Sequence, residues 1–85
     1  MAQRAELVRK LRACELDLIY MKNSLLLGDL APDFVAARAA ELGNAARSLL
    51  RSIVLITLEN DLEDINYGHL PELFAFFGIS DRIKL

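Results

Sequence analysis

Two apolar stripes flank a short turn and repeat with the same step. The first is Leu7, Leu11, Cys14, Leu18, Met21 and Leu25. The second is Val35, Ala39, Leu42, Ala46, Leu49, Ile53 and Ile56. Steps alternating between four and three residues give a mean near 3.5, which is the period of packed helices and not of strands. Gly28 follows the first stripe, where a helix commonly ends on a left-handed residue. Pro32 precedes the second, where a missing N–H costs nothing. Asp33 beside it suits the positive end of a helix dipole. A connection as short as Asp29–Leu30–Ala31 makes the two helices antiparallel neighbours. Folded there, positions whose numbers add to 60 face each other: Leu25 with Val35, Met21 with Ala39, Leu18 with Leu42, Cys14 with Ala46, Leu11 with Leu49, Leu7 with Ile53. Large meets small at two of these layers, as interdigitating cores prefer.

The pattern predicts an all-α fold, a long antiparallel helical hairpin plus a short C-terminal helix. Helix 1 is expected over 2–27 and helix 2 over 32–66. Leucine and alanine, 17 and 11 residues, supply high helix propensity throughout. The β-branched run Ile53–Ile56 has strand character, but the helical period continues through it. Helix 2 either stops near Glu59 or continues through Leu62 and Ile65 to Tyr67 with Gly68 after its end. Continuation, with a kink, is the expectation, although the acidic cluster Glu59–Asp64 is unfavourable near a helix C-terminus. The short helix is expected over 71–77, with Pro71 at its first position and Gly78 after its end. Leu70, Leu73, Phe74 and Phe77 form its apolar face. Residues 1–85 read as a single domain.

Composition matters because the hairpin seam does not use all the apolar residues. The chain is 54% hydrophobic with a net charge of −2, which excludes disorder. Area scaling lets a chain of this size bury only about 63% of its unfolded surface. Ala36, Ala40, Gly43, Leu50 and Val54 form a second stripe on helix 2. Val8, Ile19 and Leu26 lie beside the seam of helix 1. Leu16, Tyr20 and Leu27 point away from it. A two-helix seam needs one stripe per helix, so these positions call for another layer. The C-terminal helix and a second copy of the chain are the two candidates. Leu16, Tyr20, Leu50, Val54, Phe74, Phe76 and Phe77 are the expected interaction residues. A homodimer or other homo-oligomer resembling a four-helix bundle is the expected assembly.

Several function classes find no support in the sequence. A lone cysteine, Cys14, allows no disulfide framework or Cys-based zinc site within one chain. Residues 1–12 lack the apolar core of a signal peptide. No uninterrupted apolar run, Ile53–Ile56 and Leu73–Phe77 included, approaches the ~20 residues of a membrane span. A cytoplasmic protein without membrane contact is the expectation. The N-terminal Arg4, Arg9, Lys10 and Arg12 against Glu6 give residues 1–13 a net +3. Glu59, Asp61, Glu63, Asp64 and Glu72 give 59–72 a net −5. In a hairpin the two ends meet, so complementarity within the chain is favoured over nucleic-acid binding, and a pI near 5.3 agrees.

Asp64, Asn66, His69 and Glu72 lie close together in sequence. Asn66 stands where a di-iron bundle needs Glu before the His, and Gly68 and Ala75 break the calcium-loop spacing. No phosphate-binding glycine loop, GxSxG or HExxH is present. Cys14 lies on the core stripe, which suits a small buried hydrophobe. No cofactor, metal or catalytic residue is therefore expected. The sequence reads as a non-enzymatic protein–protein interaction module acting as adaptor, regulator or chaperone-like partner. The alternatives are a nucleic-acid-binding regulator using the basic N-terminus and a small all-helical enzyme or metal-binding protein.

Overall fold

The computed structural model of the chain describes residues 2–57 and 68–80. Among them every regular element is helical: α1 (Ala2–Leu27), α2 (Pro32–Thr57) and α3 (Leu70–Phe77). A 26-residue helix is about 39 Å long, which sets the 44 Å long axis of the molecule.

The turn forms as its residues require. Gly28 takes φ +76°. Its N–H donates to the Leu25 carbonyl (3.2 Å), and the Asp29 N–H donates to the Ser24 carbonyl (2.9 Å). These paired bonds close the last turn of α1 and satisfy carbonyls the helix would leave open. The Val35 N–H donates to the Ala31 carbonyl at 3.0 Å. Ala31 is thus the N-cap and Pro32 the first helical residue, as the sequence predicts.

α1 and α2 pack along their length. The core holds Leu11, Leu18, Met21, Val35, Ala39, Leu42, Ala46 and Ile53. Leu7, Cys14, Leu25 and Leu49 pack against it, half-buried. All twelve residues of the six predicted layers therefore belong to the seam. Residues 53–57 are helical, in line with the period and against the strand alternative. The expected continuation of helix 2 over 58–66, and the acidic cluster Glu59–Asp64, lie outside the described residues.

α3 starts one residue earlier than expected, at Leu70, which puts Pro71 at the second position instead of the first. His69 is the N-cap, and no side-chain oxygen of its own serves the open N–H groups. Leu70, Leu73 and Phe74 are buried. At the far end Gly78 takes φ +68°. The Gly78 N–H donates to Ala75 O (3.2 Å) and the Ile79 N–H to Phe74 O (2.8 Å), a second closure of the Gly28 type.

α3 packs on both long helices and supplies the extra layer for part of the hairpin. Ile79 sits so close to α2 that a Cβ at Gly43 would lie 2.5 Å from its Cδ1. Arg47 adds a weak tie, its Nη1 donating to the Ser80 carbonyl at 3.5 Å. Gly43 and Leu50 are buried, and Val54 is half-buried. Nearer the turn, Ala36 and Ala40 of the same stripe stay exposed. Val8 and Ile19 pack against the core, whereas Leu26 does not.

Candidate functional site

Leu16, Tyr20 and Leu27 of α1 stand 64%, 61% and 75% exposed. Their spacing of four and seven residues places them on one helical face. Leu25 of the seam is nine residues from Leu16, half a revolution away at 3.6 residues per turn. The stripe therefore faces directly away from α2. Three large apolar side chains aligned over three turns differ from scattered surface hydrophobics, which need no explanation. Leu26 and Phe34 are also exposed, one on each side of the Gly28 turn. The sequence pattern did not single out Phe34. Its position between Asp33 and the core residue Val35 was the available signal, because it puts the ring off the seam.

Two of the expected interaction residues are used up within the chain. Leu50 is 4% and Phe74 2% exposed. Leu50 lies two turns along α2 from Gly43, on the face that packs towards α3. Phe74 is on the inner face of α3 itself. Both are core residues of this chain and present no surface. Val54 and Phe77 are half-buried, and Phe77 packs against the core. Phe76 is 40% exposed. Its ring meets that of Phe77 edge to face, centroids 4.9 Å apart at 88°. Lys22 Nζ lies over it, 5.1 Å from the centroid. Each geometry matches the ring quadrupole, negative on the face and positive at the edge.

Between α1 and α3 a shallow groove of about 200 Å³ is lined by Ile19, Lys22, Asn23, His69, Glu72 and Leu73. His69 Nδ1 lies 4.0 Å from Glu72 Oε2, with both side chains largely in solvent. Asp64 and Asn66 lie outside the described residues. Among those described, no three His, Cys, Asp or Glu side chains gather as a metal site would require. Cys14 is half-buried. Burial chiefly, with the Asp17 carboxylate, pushes its thiol pKa up against the opposing pull of Arg38. A nucleophilic cysteine needs the opposite shift.

The basic N-terminus is partly compensated within its own helix. Glu6 Oε1 lies 3.3 Å from Arg9 Nη2 and 3.9 Å from Lys10 Nζ. Arg12 Nη1 pairs with Glu15 Oε1 at 3.3 Å. These contacts run along α1. The expected pairing with the acidic segment falls on residues outside the description, apart from Glu72, which faces His69.

Glu15 escaped the sequence reading altogether. It is 7% exposed, and its Oε2 accepts from the His69 backbone N–H at 2.6 Å. Gly68, with φ +57°, fits directly against that carboxylate, where any side chain would collide with it. A charged residue one place from the Cys14 stripe gives no signal of burial, since what buries it comes from 54 residues away.

No described helix is long and apolar enough to cross a membrane. No family model matches the chain, and neither a curated protein nor a solved structure matches it.

Proposed function

We propose that the chain is a protein–protein interaction module that works as a homo-oligomer, with the Leu16–Tyr20–Leu27 face of α1 as its contact surface. The observation that carries this reading is that face: three large apolar residues, aligned and exposed, on the side of α1 that no element of the hairpin seam occupies. Two hairpins set back to back on their α1 faces make a four-helix arrangement with short-looped antiparallel neighbours. Tyr20 supplies the aromatic anchor, of a type enriched at interface centres. On this reading the chain acts as an adaptor, regulator or chaperone-like partner in the cytoplasm.

The test is a paired substitution, Leu16→Glu with Tyr20→Glu, followed by light-scattering mass across a dilution series and by circular dichroism. Both residues are exposed, so helix content stays at the wild-type level. The wild type is expected at a multiple of its 9.5-kDa chain mass, and the variant at the single-chain mass. A wild type that stays monomeric at every concentration refutes the reading. So does a variant that associates as strongly as the wild type.

A further inference from the structure

α3 is joined to the hairpin by a carboxylate contact at its start, by Lys22 over the Phe76 ring, by Arg47 on the Ser80 carbonyl just past its end, and by apolar contacts along its length. At the start, the Glu15 carboxylate from α1 accepts the N–H of His69, the N-cap of α3, at 2.6 Å. In a capping box that bond comes from a glutamate inside the same helix, three residues on. Here a different helix supplies it, so the cap is also a tie between α1 and α3. Arg12 holds the other carboxylate oxygen at 3.3 Å. Gly68 lets the backbone come up against the carboxylate without a Cβ in the way. Beyond the start, Leu70, Leu73 and Phe74 enter the core, and Ile79 lies over Gly43.

The two parts of the molecule differ in what holds them. An eight-residue helix is far below the length that is stable alone in water, so α3 is helical only while docked. The six layers of the hairpin seam are drawn from α1 and α2 alone, and Leu70, Leu73 and Phe74 of α3 join the same core as an added layer. From this juxtaposition we propose that α3 is a strap that releases from the hairpin as a unit, and that the Glu15 carboxylate is its latch. Release lifts Leu70, Leu73 and Phe74 out of the core and uncovers Gly43 of α2, where Ile79 sits. The strap is independent of whether the Leu16 face self-associates, because it lies on another side of α1.

Amide hydrogen exchange on the full chain, read residue by residue at several low denaturant concentrations, tests the strap. In the wild type, the Leu73, Gly78 and Ile79 amides are expected to exchange through an opening at least tenfold more populated than the one exposing Leu18 and Ala46. Exchange of both groups through the same opening would overturn the proposal. Glu15→Gln removes the charge and keeps the shape. It is expected to lower protection of the α3 amides by about five- to tenfold, the difference between a charge-assisted and a neutral hydrogen bond, and to leave Leu18 and Ala46 within twofold. Glu6→Gln, on the exposed part of the same helix, leaves α3 unchanged. Unchanged α3 protection in Glu15→Gln, or an equal fall in both groups, would show that Glu15 is not a latch.

Discussion

Gly43→Ala sets two effects of known size against each other. In a helix interior, replacing glycine by alanine is worth about 0.5–1 kcal/mol, because the unfolded chain loses backbone freedom. Gly43 lies inside α2 with ordinary helical geometry, so this gain is fully available. Against it stands Ile79. A Cβ at 43 would lie 2.5 Å from Ile79 Cδ1, 3.1 Å from Cγ2 and 3.3 Å from Cγ1. Turning Cδ1 away leaves two atoms still too close, so the whole side chain must move and strain the end of α3. Overpacking of this kind costs about 1–3 kcal/mol. The net expectation is a loss of about 0–2 kcal/mol in the wild-type background. All three obstructing atoms lie beyond Cβ, so Ile79→Ala removes every one of them. In that background Gly43→Ala is expected to stabilise by about 0.5–1 kcal/mol. Urea unfolding of the four proteins closes a double-mutant cycle. The predicted coupling is about 1–3 kcal/mol. Additivity within about 0.5 kcal/mol would show that Ile79 does not sit on Gly43, and the docking of α3 described above would be wrong.

Two further predictions concern the turn and the thiol. Gly28 has open space around it but a φ of +76°, so Gly28→Ala meets backbone strain alone. A loss of about 1 kcal/mol is expected, seen as a melting midpoint lowered by roughly 4–8 °C. An unchanged midpoint would mean the turn does not need its left-handed residue. Cys14 should react with iodoacetamide more slowly than a free thiol at pH 8, since burial, Asp17 and the seam keep it protonated. Its rate should rise only at a pH above that at which a free thiol's rate rises, and full speed in the native protein at pH 8 would contradict that.

The hairpin was legible in the sequence because its determinants are local and periodic. Gly28, Pro32 and the stepping of Leu11, Leu18, Ala39 and Ala46 each act within a few residues of where they stand. What was not legible depends on where α3 lands. Leu50 and Phe74 look like surplus apolar residues until the folded chain buries both in one core. Glu15 looks like any charged helix residue until Gly68 and His69 close over it. The Leu16, Tyr20 and Leu27 face was visible from spacing alone, since a residue opposite the seam has no neighbour in a hairpin. Which residues of α3 lead the helix was settled within one position, the usual uncertainty at a terminus.

Sedimentation equilibrium of the unmodified chain bears most directly on the central claim that this hairpin works through association with itself. Across a dilution series the account predicts a mass above 9.5 kDa, at an integral multiple of the chain, that falls towards the single chain only at the lowest concentrations. A constant mass of one chain over the whole series would contradict it.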